Sequence, residues 1–178
     1  FLSYSAPTSM GKSFIMHMFI KEQIMNGVKM NFARIVPTKA LINEMRTDTI
    51  NDLKNILEEQ NYRVVTAASD ISLEENHNFI LIMTPERLLY FLISNPDFQL
   101  DYLFIDEAHK IGGRNSRGPF YYKVVDLLAR KNPMPHFIFA SPNIPNPDEY
   151  LKLVTEAEKG VENAITSSYA PFAQEAHF

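Results

Sequence analysis

Short apolar runs alternate with helix-length stretches along this chain, and that alternation leaves few folds open. Phe1 to Ser5, Phe32 to Val36, Tyr62 to Thr66, Phe79 to Met83, Tyr102 to Ile105 and His136 to Ala140 read as strands. Between them, Lys12 to about Asn26, Ala40 to Gln60, Pro85 to about Ile93 and Tyr121 to Arg130 read as helices. Gly27 and Pro37 stop the elements before them, and Pro85 suits the first position of a helix. In the longest helix Leu41, Met45, Leu53, Ile56 and Leu57 fall near one face. Strands joined by helix-length connections imply an α/β fold: a parallel, doubly wound sheet with helices on both faces, in three layers. Ile71 to Asn78 reads as an acidic loop and Arg114 to Gly118 as a mobile one, and a last helix is expected from Glu149 to about Lys159.

The bulk numbers bound the partners. At 178 residues the chain has the size of one domain, and its 46% hydrophobic content can fill a core. The net charge of −4 argues against a polybasic clamp but leaves room for a local basic groove. There is no cysteine, hence no disulfide framework and no thiolate metal site. No apolar run reaches the roughly 18 residues of a membrane span, and no signal-peptide pattern opens the chain. A cytoplasmic location is expected, or a nuclear one in a eukaryote. The chain opens on Phe1 with a motif close behind, which reads as a piece excised from something longer.

That motif is Ala6-Pro7-Thr8-Ser9-Met10-Gly11-Lys12-Ser13. It follows a strand and opens a helix, the context in which a phosphate-binding loop works. Backbone N–H groups of the loop and the positive end of the helix dipole suit the phosphates of ATP. Lys12 would reach the β- and γ-phosphates, and Ser13 would place its hydroxyl on Mg²⁺. The consensus begins with Gly, and Ala6 takes that place here. The bland alternative is a structural turn.

A second motif strengthens the first. The apolar Tyr102-Leu103-Phe104-Ile105 ends in Asp106-Glu107-Ala108-His109. Acids at a strand's carboxyl end sit where open α/β sheets bind ligands. Asp106 would hold Mg²⁺ through its water shell, and Glu107 would take a proton from an attacking water. The bland alternative makes Asp106 a helix cap and His109 a satisfied hydrogen-bond partner.

With both motifs in view, the chain resembles the first RecA-like domain of a superfamily-two DExD/H-box helicase, closest in style to Ski-type DExH helicases. The resemblance covers nearly the whole chain, 1–178, as one RecA-like ATP-binding domain with 160–178 leading toward a second such lobe in cis. It implies a P-loop NTPase that couples ATP hydrolysis to movement along single-stranded or partly duplex DNA or RNA. It also implies roles for further segments. Pro37-Thr38-Lys39-Ala40-Leu41 and Thr84-Pro85-Glu86-Arg87-Leu88 match motifs that touch the nucleic-acid backbone. That gives Pro37, Thr38, Lys39, Thr84, Pro85 and Arg87 as contacts, although each Thr could equally cap its own helix. Ser69-Asp70 lies where a small turn touches the strand. His109, Ser141 and Asn143 would couple hydrolysis to movement. The last of these motifs departs from the family's Ser-Ala-Thr, reading Ser141-Pro142-Asn143; Pro142 removes a donor and stiffens the turn. A double-strand translocase and a nucleotide-gated binding module share the same nucleotide motifs.

Overall fold

The computed structural model describes residues 2–4, 9–27, 29–70, 76–106 and 118–140. In chain order they form β1 (Leu2–Tyr4), α1 (Ser9–Met25), β2 (Phe32–Ile35), α2 (Lys39–Glu59), β3 (Tyr62–Val65), β4 (Asn78–Met83), α3 (Pro85–Ser94), β5 (Tyr102–Asp106), α4 (Gly118–Ala129) and β6 (His136–Ala140). A 3₁₀ turn, Ala68–Asp70, follows β3. The six strands make one sheet in the order β1-β6-β5-β2-β4-β3, and every adjacent pair is parallel.

Period-two alternation sorts the described side chains of β2 to β6 between the two faces of the sheet. In β4, Phe79, Leu81 and Met83 face a core shared with Leu88, Phe91 and Leu92 of α3 and Val124 and Leu128 of α4. Ile80 faces the other side, against Met16, Phe19 and Ile20 of α1 and Leu53 and Leu57 of α2. A parallel sheet covered on both faces needs apolar side chains in both directions, which is why β4 carries an unbroken apolar run. The outward crossovers, β1 to β2 to β3, use α1 and α2; the returning ones, β4 to β5 to β6, use α3 and α4. Crossovers of one hand lay helices on opposite faces when the direction reverses. The expected three layers are there.

One residue pins the amino edge. The Asn31 N–H donates to Asp101 Oδ2 at 2.7 Å, its carbonyl accepts from the Asp101 and Tyr102 N–H groups, and its side-chain oxygen accepts from the Phe79 N–H at 2.9 Å. The starts of β4 and β5 are thereby tied to the start of β2.

Boundaries shift from those read in the sequence. Helix α1 begins at Ser9, not Lys12, and α4 at Gly118, not Tyr121. Helix ends are set by packing as well as by propensity, and Gly118 is buried. On α2 the fully buried stripe is Ile42, Met45, Thr49, Leu53 and Leu57. Leu41 and Ile56, expected on it, are only half-buried at its margin. The expected loop at Ile71 to Asn78 becomes strand by Asn78, and its first five positions lie outside the described residues, as do the expected helix at 149–159 and the segment 160–178.

Phe104 is 1% exposed and meets the Phe19 ring edge-on at 5.9 Å between centroids. Phe104→Ala should therefore cost about 3–5 kcal/mol of stability, the range for a buried Phe truncated with incomplete collapse. Urea unfolding checks this, and a loss below about 1 kcal/mol would contradict the core assignment.

Candidate nucleotide and nucleic-acid site

Parallel register brings the sequence motifs to one edge. Tyr4, the last residue of β1, lies opposite Ala140, the last of β6, and Ala140 lies opposite Asp106, the last of β5. Three adjacent strands thus end level. The loop before α1, the Asp-Glu segment and the Ser141 segment all leave from these ends. Ile105 is level with Ile35 of β2, and Ile35 with Met83 of β4, so the Pro37 and Thr84 segments leave the same edge further along. Lys12 lies in α1 and Asp106 ends β5; what is described of each is its backbone. Ala6, Pro7, Thr8, Glu107, His109, Ser141 and Asn143 lie outside the described residues, and Ser9, Met10 and Gly11 form the first turn of α1.

Ser13 is the part of the phosphate end whose side chain is defined. It is 7% exposed. Its hydroxyl accepts from Arg34 Nη2 at 3.2 Å and points its proton at Met45 Sδ, 3.8 Å away. A hydroxyl has one proton and two acceptor lone pairs, so these contacts leave one lone pair and fix where it points. A hard oxygen held this way suits Mg²⁺, which takes oxygen ligands. The Arg34 guanidinium, 4% exposed, puts a buried positive charge behind the same hydroxyl.

The other half of the edge holds the remaining predicted residues. Lys39, Thr84 and Arg87 line one open cavity of about 630 Å³, together with Ala68, Glu86 and Tyr90. Arg87 is held there by donating from Nη1 to the Thr66 carbonyl at 3.1 Å. The two threonines differ. Thr84 is 2% exposed and its hydroxyl accepts from the Arg87 N–H at 3.5 Å, so it caps α3, with the buried Pro85 following at the helix start. Thr38 precedes α2 in extended backbone, makes no side-chain cap and is exposed, while Pro37 behind it is buried.

With this geometry in place, likeness to known proteins becomes informative. The profile of the DEAD/DEAH box helicase family matches residues 2–149. The chain belongs to that family. It is 25% identical, over 92% of its length, to an uncharacterized ATP-dependent helicase of Methanocaldococcus jannaschii, and spans about a quarter (26%) of that relative. Its fold is similar to the Pyrococcus furiosus Hef helicase domain (TM-score 0.61, 20% identity, 87% of this chain and 33% of that one). It is also similar to the Mycobacterium smegmatis helicase Lhr, solved bound to ssDNA and AMP-PNP (TM-score 0.60, 16% identity, 85% and 22%). These likenesses show a RecA-like helicase fold. Among the described residues no helix is long and apolar enough to cross a membrane.

This DEAD/DEAH box domain also carries residues that the sequence reading passed over. His17, one turn after Ser13, is wholly buried; its Nδ1 lies 2.5 Å from Asp52 Oδ2 and its Nε2 3.1 Å from Thr49 Oγ1. Thr49 Oγ1 is also 2.7 Å from the Met45 carbonyl, so its one proton serves one acceptor at a time. Arg34, Ser13, Met45, Thr49, His17 and Asp52 thus form a polar seam between α1 and α2. The signal for Arg34 was a charge in an otherwise apolar strand, on the same face as Phe32. The signal for His17 was its i+4 spacing from Ser13.

Burial lowers the His17 pKa, more than the Asp52 hydrogen bond raises it, and the nearby Arg34 charge lowers it further; Asp52 and Asp48 pull upward by their charge. A base whose folded pKa lies below its ordinary 6.5 leaves the unfolded chain binding more protons as pH falls through that value. Stability should be greatest above pH 6.5 and decline as pH drops below it. Burial lowers the His136 pKa as well, so a second histidine adds to the same trend. His17→Gln should flatten this decline between pH 7 and 5 in thermal melts. An unchanged slope would mean His17 titrates alike in both states.

Proposed function

We propose that the chain is the ATP-binding lobe of an ATP-dependent helicase or translocase, closest in style to the Ski-type DExH enzymes. The observation that carries this is the level ending of β1, β6 and β5 at Tyr4, Ala140 and Asp106. A phosphate loop and an Asp-Glu pair that are far apart in sequence then leave the sheet at one level, with only β6 between them. The first turn of α1, from Ser9, offers N–H groups and about half a unit of positive charge to the phosphates. Lys12 adds a full charge, and Ser13 presents its remaining lone pair.

The Mg²⁺ held by Ser13 and Asp106 would neutralise charge on the β- and γ-phosphates. Glu107 accepts the proton of the attacking water, a role worth about 10²–10⁴ in rate. His109, Ser141 and Asn143 would pass the nucleotide state along the edge, to where Pro37, Thr38, Lys39, Thr84, Pro85 and Arg87 meet the strand backbone. The partner is single-stranded or partly duplex nucleic acid, and the M. smegmatis helicase solved with ssDNA and AMP-PNP supports that choice. The charge on the far side of the γ-phosphate is assigned to a second RecA-like lobe in cis, as an arginine finger worth roughly 10³–10⁵ in rate.

Three outcomes are expected. Lys12→Ala should abolish most Mg·ATP affinity in a nucleotide titration while the thermal melt is unchanged; undiminished binding would remove the phosphate-loop assignment. In the two-lobed protein Glu107→Gln should bind ATP yet hydrolyse it about 10²-fold more slowly or worse, and wild-type turnover would place the base elsewhere. The 178 residues alone should show little strand-stimulated ATPase. Turnover equal to that of the two-lobed protein would show that the charge is supplied from within this lobe, and nucleotide-dependent strand affinity without strand-stimulated turnover in the two-lobed protein would favour a nucleotide-gated binding module.

A further inference from the structure

We propose that Tyr90 is a base-stacking platform, so that this edge of the sheet binds an unpaired nucleotide by its base as well as by its phosphates. This rests on the nucleic-acid reading above and deepens it. Three of the four neighbouring residues on α3 are buried apolar packing, with Leu88, Phe91 and Leu92 each at most 1% exposed, whereas Tyr90 stands 69% exposed. A lone exposed tyrosine is ordinary on a protein surface. Its surroundings here are not. Tyr90 shares one cavity of about 630 Å³ with Lys39, from the start of α2, and with Arg87, three residues earlier on its own helix. That volume falls within the roughly 300–1,000 Å³ of sites that enclose small ligands.

The chemistry of the wall selects the ligand. Residues at i and i+3 of a helix are neighbours about 5–6 Å apart at Cβ. Arg87 and Tyr90 therefore place a cation and an aromatic face within one turn of each other. A base and its phosphate hang from one sugar, so a single nucleotide can meet both. The hydrogen bond from Arg87 to the Thr66 carbonyl holds the cation at the wall before any ligand arrives. Glu86, one turn before Tyr90, lines the same cavity and would repel a phosphate at its end. That directs the phosphate toward Lys39 and Arg87 and leaves the base over the Tyr90 ring. A paired base has both faces covered by its stacked neighbours, so the platform favours single strands over duplex. Stacking is indifferent to base identity because every base has a π face.

The test uses a fluorescein-labelled single-stranded oligonucleotide, an abasic strand of the same length and a duplex, each titrated against the protein by anisotropy. Tyr90→Ala should weaken the single strand about 5- to 150-fold, the fold-change equivalent of one stacked base. It should leave the abasic strand within about twofold, and Tyr90→Phe should restore binding because the ring stacks without its hydroxyl. Lys39→Ala should weaken both strands and reduce their salt dependence. Unaltered single-strand binding by Tyr90→Ala, or an equal loss on both strands, would overturn the stacking role while leaving the backbone contacts standing. If the unsubstituted protein binds neither strand, the nucleic-acid reading itself falls, and this inference with it.

Discussion

Everything at the working edge depends on the register of a parallel hydrogen-bond ladder. In a parallel sheet every strand points the same way, so every carboxyl end emerges on one side. Which ends are neighbours is decided by strand order, and how level they are by register. Here Tyr4, Ala140 and Asp106 share a level, and Ile35 and Met83 continue it one residue back. A slip of one residue in β5 would move Asp106 by about 3.3 Å along the strand and turn its side chain to the other face. The Asn31 ties at the opposite edge act against such slips, since they join the first residues of β2, β4 and β5 through both backbone and side chain.

The fold was legible in the sequence to the extent that burial leaves a linear trace. Strands covered on both faces must be apolar throughout, so Phe79 to Met83 announces itself, and helices long enough to cross back over the sheet carry a repeating stripe. The family motifs were legible for the same reason, since each is a contiguous run whose chemistry needs those residues in that order. Strand order was not legible. It follows from which strands exchange hydrogen bonds, and nothing local in β6 says that it inserts between β1 and β5. The exact stripe on α2 was displaced for a related reason: Ile42 is buried against Val36 and Ile82 at the end of the sheet and Thr49 against His17 of α1, while Leu41 and Ile56 fall beside that line.

Polar burial was the least legible layer of all. Five polar side chains are buried among the described residues, and four of them, Ser13, His17, Arg34 and Thr49, lie together between α1, α2 and β2. In the sequence they are scattered over three elements, and only Ser13 belongs to a motif. Only the packing of α1 on α2, with β2 beneath, assembles them. Thr38 and Thr84 make the same point in reverse. They occupy matching places in two similar motifs, yet one hydroxyl is exposed and the other caps a helix, because Thr84 is drawn into the interior beside β4 while Thr38 stays at the rim.

A buried cluster of this kind is costly. Taking a guanidinium from water is not recovered by its hydrogen bonds unless their geometry is good, and apolar replacements of similar volume often give a more stable core. Stability is therefore a weak reason for Arg34 to sit behind Ser13. Position is a stronger one. Ser13 lies in the second turn of α1, and Met45, Thr49 and Asp52 belong to α2, which starts at Lys39 on the rim of the cavity shared with Arg87 and Tyr90. The seam clamps these two helices side by side through directional bonds, which resist sliding in a way that apolar contacts alone do not. The same contacts that fix the lone pair on Ser13 thus hold α1 against α2, the helix that begins at Lys39.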